Sequence, residues 1–204
     1  MRVFLPAYQA WTFARLPRLL ADAGIHARTV LHVGAHHGEE VAIYRQCGFA
    51  TIRLVEPDPG NLAVLGERYG ADPDIDIIAV AATPAATPQG NAKLWLAERS
   101  VWSGLQPHPS ATGEKIQVPT VTLGVLQSDE NLLVLDTQGS ELELLRTADL
   151  RHLDMVIVET TRRPGDTAAD YSATTAYMRS QHWRAAEEWV HDNSGYTDTV
   201  FLPQ

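Results

Sequence analysis

Thr29-Val-Leu-His-Val-Gly-Ala-His-His-Gly38 is followed about twenty residues later by Leu54-Val-Glu-Pro-Asp-Pro59. The first stretch is an apolar run that ends in a glycine turn and opens a helix. The second is an apolar run that ends in an acid, Glu56. A strand–loop–helix–strand unit of this kind grips the adenosine end of a cofactor. Gly34 and Gly38 let the backbone approach the ligand, and the acid accepts from two ribose hydroxyls.

The spacing Gly34-x-x-x-Gly38 is not the dinucleotide pattern G-x-G-x-x-G, so no pyrophosphate cradle is written here. A tight turn with room for an amino-acid tail, together with Glu56, points to S-adenosylmethionine. The alternative for the same residues is a tight turn in some other α/β fold.

The 204 residues suit one domain, with residues 1–27 as a helical lead-in and 83–121 as an insertion. A chain of this length buries roughly 70% of its unfolded surface. The apolar fraction of 45% and charged fraction of 20% are ordinary for a globular protein. A formal net charge of −9, with no lysine/arginine block, argues against a nucleic-acid backbone as the main partner. The single cysteine, Cys47, excludes an intrachain disulfide and a cysteine-built zinc cluster. The first residues carry too short an apolar run for a signal peptide, and no stretch reaches the ~20 apolar residues of a membrane span. The expectation is a cytoplasmic protein with no membrane partner.

Along the chain, residues 7–23 read as a helix with a break at Pro17. Thr29–Val33 and Thr51–Val55 read as strands, and Glu39–Cys47 as a helix with acids in its first turn, closed by Gly48. Asn61–Tyr69 is a second crossover helix and Asp74–Val80 a third strand. The pattern then changes. Thr83–Gly90 is a loop, Ala92–Ala97 and Lys115–Val121 alternate like strands, and the polar stretch 100–113 joins them. This predicts a β-hairpin inserted at the sheet edge, with Ser100, Trp102, Ser103 and His108 available to an acceptor pocket. Regularity returns with the strand Asn131–Asp136, the helix Ser140–Ala148, the strand Asp154–Val158 ending at Glu159, and the helix Ala168–Gln181. Trp183–Val190 and Thr197–Leu202 flank the turn Asp192-Asn-Ser-Gly195 and read as a closing hairpin. Alternating strands and helices predict an α/β, Rossmann-like fold: a mostly parallel sheet with helices on both faces and an antiparallel C-terminal hairpin.

Three segments together resemble the FkbM family of S-adenosylmethionine-dependent methyltransferases. His32-Val-Gly-Ala-His-His-Gly38 is similar to the family's Asp-Val-Gly-Ala-(Asn/His)-x-Gly, and Glu56-Pro-Asp-Pro59 to its Glu-Pro-(Asp/Leu)-Pro. Asp136-Thr-Gln-Gly-Ser-Glu-Leu-Glu-Leu-Leu145 resembles Asp-(Val/Thr)-(Glu/Gln)-Gly-x-Glu-x-x-(Val/Leu)-Leu and is the most specific of the three. Val118-Pro-Thr-Val-Thr-Leu123 also resembles the segment that precedes that motif. The likeness runs from about residue 29 to 160. It implies a class I methyltransferase fold with a seven-stranded sheet, and O-methylation of a hydroxyl on a sugar, glycan or natural product. His32 departs from the family's usual Asp. The residue at that strand end often steadies the glycine turn or lies near the cofactor's amino-acid tail.

The expected cofactor-binding residues are Gly34, Ala35, His36 and Gly38 in the turn, Glu56, Pro57 and Asp58 after the second strand, and Ala81 and Ala82 where adenine should lie. Asp136, at the carboxyl end of its strand, should face the sulfonium and the acceptor. It stands with His37 and Glu141 as a catalytic candidate. His36 or His37 is suited to take a proton from the acceptor hydroxyl, and Gln138 to orient it. Asp136 and Glu159 are compatible with a divalent cation, but two acids do not make a site and no metal is predicted. Two other functions fit the same topology: a nicotinamide-dependent oxidoreductase, which lacks its phosphate cradle here, and a non-catalytic binding module.

Overall fold

A computed structural model describes residues 13–84, 90–107, 111–162, 170–191 and 195–204. The first elements are helix α1 (Leu16–Ala23), strand β1 (Thr29–Val33), helix α2 (Val41–Cys47), strand β2 (Thr51–Val55), helix α3 (Pro59–Tyr69) and strand β3 (Ile75–Ile78). Strands β4 (Ala81–Thr83), β5 (Gly90–Ala97) and β6 (Ala111–Thr122) follow. The chain ends with helix α4 (Leu123–Leu126), strand β7 (Leu132–Leu135), helix α5 (Glu141–Leu145), strand β8 (Met155–Thr161), helix α6 (Tyr171–Ser180), strand β9 (Trp183–Val190) and strand β10 (Tyr196–Pro203).

Seven strands form one sheet in the order β3-β2-β1-β7-β8-β10-β9. β1, β2, β3, β7 and β8 run parallel, and β10 is antiparallel to both β8 and β9. Strands buried on both faces need apolar residues at every position, which is why β1 and β7 read as continuous apolar runs rather than alternating ones. One face packs on α1, α2 and α3 through Leu16, Leu20, Tyr44 and Leu65. The other packs on α4, α5 and α6 through Leu123, Leu144 and Met178. Each such buried side chain contributes about 1.5–3 kcal/mol. The mostly parallel sheet with helices on both faces and a closing antiparallel hairpin is the expected one.

Two local boundaries are corrected, at α2 and at the third strand. The expected break lies just ahead of Pro17: Phe13 is helical, Ala14 and Arg15 form a turn, and α1 begins at Leu16, so Pro17 falls in its first turn, where its missing N–H costs nothing. Residues 7–12 of the expected helix, like His108 and most of the turn 192–195, lie outside the described residues. α2 begins at Val41, so Glu39 and Glu40 precede it instead of filling its first turn. The third strand stops at Ile78 and the chain enters a different sheet at Ala81.

That second sheet is the insertion. β5 and β6 pair antiparallel as expected, but not on the edge of the main sheet. β6 also pairs in parallel with β4, giving a separate three-stranded sheet β4-β6-β5 around Ala81, Leu94 and Val118. The loop between β5 and β6 folds back: Trp95 and Gly104 exchange backbone hydrogen bonds of 2.9 and 3.1 Å. Gly104 then lies against the segment after β7, where a Cβ would stand 3.1 Å from the Gln138 carbonyl oxygen.

Asn131, fully buried ahead of β7, ties three segments. Its Oδ1 accepts from Arg28 N at 3.1 Å, and its Nδ2 donates to His26 O and Asp154 Oδ2, each at 2.8 Å. Asn131→Ala leaves a backbone N–H and a carbonyl without these partners. It is expected to lower stability by about 2 kcal/mol in urea unfolding; a loss under ~0.5 kcal/mol would mean that the three segments hold together without it.

Candidate functional site

The strand register assembles the site. Val33 pairs with Val55 and with Leu135, so Gly34, Glu56 and Asp136 follow side by side at the carboxyl rim. Ligands of open α/β sheets bind at this rim. A cleft opens here. Val33, Gly34 and Val55 form its floor. Glu56, Pro57 and Asn61 line one side, and Asp136, Thr137, Gln138 and Ser140 the other. Val80, Ala81 and Ala82 continue the wall. Leu94, Ser100 and Gly104 of the insertion also line it.

Gly34 is required by backbone packing. Its φ is 88°, and a Cβ there would lie 1.6 Å from the Asp136 carbonyl oxygen. Gly38 meets a similar limit from a helix, since its Cβ would lie 2.7 Å from the Tyr69 ring. Both glycines admit neighbouring protein, and Gly34 alone of the two lines the cleft.

Glu56 is 5% exposed. Its Oε2 accepts from His36 N at 2.8 Å, and its Oε1 accepts from Asp58 N at 2.8 Å and Asn61 Nδ2 at 3.3 Å. Burial pushes its pKa up to about 7 against these hydrogen bonds. Asp58 turns away as the N-cap of α3, its Oδ1 accepting from Gly60 N at 2.8 Å. Pro57 faces the cleft.

His36 sits at φ 46°, a conformation uncommon for a residue with a side chain. Its ring bridges two partners: Nδ1 lies 2.9 Å from Glu39 Oε1, and Nε2 lies 2.9 Å from Ser100 Oγ. The relay joins the glycine turn after β1 to the insertion. His37 stacks on His36 with ring centroids 3.7 Å apart and does not line the cleft. Burial lowers its pKa. Ala35 is buried beneath the turn.

Asp136 is half-buried in the opposite wall. Gln138, at φ 57°, donates from Nε2 to Asp136 Oδ1 at 2.7 Å and to Glu159 Oε2 at 2.9 Å. Burial pushes the Asp136 pKa up to about 7, and the charges of Asp198 and Glu141 add to it. Burial likewise raises Glu141 and Glu159. Glu141 is fully buried and turned inward. It accepts from Thr137 N at 2.7 Å, Thr137 Oγ1 at 3.0 Å and Gly139 N at 3.0 Å, stapling the turn after β7.

Asp136, Glu141 and Glu159 each offer an oxygen within 4.8 Å of the others. The donor chemistry does not suit a hard cation, which takes about six oxygens. Glu141 is committed to its turn, and the Gln138 amide N–H₂ already occupies the space between the other two carboxylates. His36, His37 and Glu39 form a second such group, whose shortest contact is the His36–Glu39 hydrogen bond.

His32 does not reach the cleft. It is 3% exposed, points to the α1–α2 face, and its Nδ1 lies 3.1 Å from Tyr44 Oη. Burial lowers its pKa to about 4, so it is neutral. Trp102 carries the Arg99 guanidinium 5.1 Å from its ring centroid and lies outside the cleft lining. Sequence reasoning passed over Asn61 and Glu39, for which the sequence holds no motif. It also passed over Glu40, His191 and Asp198, which reach Asp136 only through the fold.

Solved structures resemble the chain at low identity. A putative RNA methyltransferase from Pyrococcus horikoshii matches with a TM-score of 0.55 at 12% identity, covering 100% of this chain and 90% of that one. Magnesium protoporphyrin IX methyltransferase from Synechocystis PCC 6803, solved with bound SAM, gives 0.55 at 8% identity over 100% of this chain and 86% of its own. An FkbM methyltransferase from Methylobacillus flagellatus KT gives 0.55 at 17% identity; the match covers 86% of this chain and 43% of that one. No curated protein matches the sequence. These likenesses give the fold as the Rossmann-like class I methyltransferase type. The sequence model of the methyltransferase FkbM domain matches residues 32–185, most of the chain, and the chain therefore belongs to that family of methyltransferases.

Proposed function

We propose that this methyltransferase uses S-adenosylmethionine to methylate a hydroxyl of a small acceptor, a sugar, glycan or natural product, with residues 1–204 acting as one domain. The observation that carries the reading is the Glu56 carboxylate, held at the rim of the cleft by two backbone N–H groups. The donor set fits the cofactor: a buried acceptor suits a ribose diol, and Val55, Ala81 and Ala82 offer a flat apolar wall to adenine. Gly34, His36 and Pro57 complete that side. Bound S-adenosylmethionine supplies a methyl group on an activated sulfonium.

The protein's own contribution is alignment, which supplies up to ~7–11 kcal/mol where geometry is optimal. Asp136 takes the hydroxyl proton at its carboxylate, and a pKa near 7 suits that exchange. Gln138 fixes the orientation of Asp136. Glu141 and His37, both outside the cleft lining, act as positioning residues: Glu141 through the 137–139 turn and His37 through the His36 ring. The net charge of −9 supports a small acceptor over RNA. No helix among the described residues is long and apolar enough to cross a membrane.

Glu56→Gln is expected to weaken S-adenosylhomocysteine binding at least about tenfold by calorimetry, the worth of one charge-assisted hydrogen bond. Unchanged affinity in a folded variant removes Glu56 from the site. Binding by the wild type should strengthen as pH rises through about 7, because Glu56 is protonated below it and ionised above it. In Glu56→Gln that part of the profile should flatten. Asp136→Asn should cut turnover of a hydroxylated acceptor by roughly 10²–10⁴ while S-adenosylhomocysteine affinity stays within a few-fold. Equal loss of both would make Asp136 a cofactor anchor. NAD in place of S-adenosylmethionine should leave the melting temperature unchanged; a stabilising shift with NAD alone would favour the oxidoreductase.

A further inference from the structure

The turn between β1 and α2 gathers three side chains of ligating type. His36 Nδ1 lies 2.9 Å from Glu39 Oε1, and His37 Nδ1 lies 3.7 Å from the same oxygen. One donor atom from each of the three residues stands within 4.8 Å of the other two. Two imidazole nitrogens thus converge on one carboxylate oxygen. A zinc-type ion holds nitrogen and oxygen ligands at about 2.0–2.2 Å, so the ligand atoms of a tetrahedral site sit roughly 3.3 Å apart. The two distances here fall on either side of that span, and small side-chain rotations close the difference.

The surrounding structure holds this arrangement in place. Glu39 is 3% exposed, and its Oε2 accepts from His37 N at 3.1 Å, which leaves Oε1 to the two rings. His37 O accepts from Arg68 Nη1 at 2.8 Å and Gly38 O from Tyr69 Oη at 3.0 Å, so α3 pins the backbone that carries the ligands. The stacked rings present their Nδ1 atoms to the same side, toward Glu39. A ligating imidazole needs a partner on its other nitrogen, which fixes its tautomer. His36 has one, since its Nε2 lies 2.9 Å from Ser100 Oγ. The His36 and His37 side chains are 17% and 28% exposed, so solvent has access for a water ligand in the fourth position. The donor set also selects the ion. Magnesium and calcium take oxygen ligands, whereas two imidazoles with a carboxylate suit zinc and its transition-metal neighbours.

We infer that His36, His37 and Glu39 form a binding site for a divalent zinc-type cation, held by the two Nδ1 atoms and Glu39 Oε1 with water as the fourth ligand. A cation on Nδ1 leaves the His36 proton on Nε2, from which it donates to Ser100. The ion therefore fixes one wall of the cleft. It pins the ring of His36, whose backbone N–H holds Glu56 and whose Nε2 holds Ser100 of the insertion. It takes no part in methyl transfer, and the site stands independently of the acceptor proposed above.

The test uses the full chain freed of metal by chelation. It is titrated with Zn²⁺ by calorimetry and with Co²⁺ by visible absorption. One Zn²⁺ should bind per chain, Mg²⁺ should give no saturable binding, and Co²⁺ should show the intense bands of four-coordinate nitrogen–oxygen ligation. His37→Ala and Glu39→Gln should each weaken Zn²⁺ binding at least about tenfold. His152→Ala, an exposed histidine ahead of β8, should leave it unchanged. Melting curves report whether each variant is folded. Should Glu39→Gln fail to fold, His37→Ala decides, since its ring lies outside the cleft lining. Absence of saturable Zn²⁺ binding, equal binding by wild type and His37→Ala, or a six-coordinate Co²⁺ spectrum overturns the site. S-adenosylhomocysteine binding, measured on the same metal-free chain, tests the methyltransferase reading separately.

Discussion

The segments that follow β1 and β7 run backbone against backbone, with no room between the α-carbon of Gly34 and the carbonyl of Asp136 for even one methyl group. The cleft depends on this contact. It brings the turn that ends β1 beside the acid that ends β7. β2, paired to the other side of β1, delivers Glu56 to the same rim. The two walls of the site are therefore set by the pairing of three parallel strands, and the loops have little freedom to separate them. His36 and Gln138, both held at positive φ, face into the cleft from either side of that contact. Strain of this kind persists where surrounding structure over-determines it. Here Glu39 and Ser100 hold one residue, and Asp136 and Glu159 the other.

A common electrostatic condition runs through the rim. Glu56, Asp136, Glu141, Glu159 and Glu40 are all acids whose ionisation burial opposes. A protein selected only for stability would not gather them, since replacing buried charge by packed apolar groups is often stabilising. Glu56 and Asp136 line the cleft, and Glu40 is buried behind it beside His32. Gln138 holds Asp136 by a hydrogen bond, and Glu141 holds the turn that follows it.

Much of this was legible in the sequence because parallel strands buried on both faces announce themselves as apolar runs bounded by glycine and acid. Thr29–Val33 and Leu132–Leu135 are cases in point. The acids that end them mark the rim with no knowledge of packing. What the sequence hid depends on distant pairing. Ala81–Thr83 reads as the connection that follows the third strand, yet it pairs with Thr120–Thr122 in another sheet. Glu39 and Glu40 look like dipole-complementing acids, yet one contacts two histidines and the other is buried beside His32. His191 and Asp198 join the site only because β10 returns antiparallel between β8 and β9, a register no local motif encodes.

The most direct test is a crystal structure of the chain with S-adenosylhomocysteine. The account predicts both ribose hydroxyls within hydrogen-bonding distance of the Glu56 carboxylate, and the sulfur open toward Asp136. A ribose placed away from Glu56, or a sulfur walled off from Asp136 by packed side chains, would contradict it.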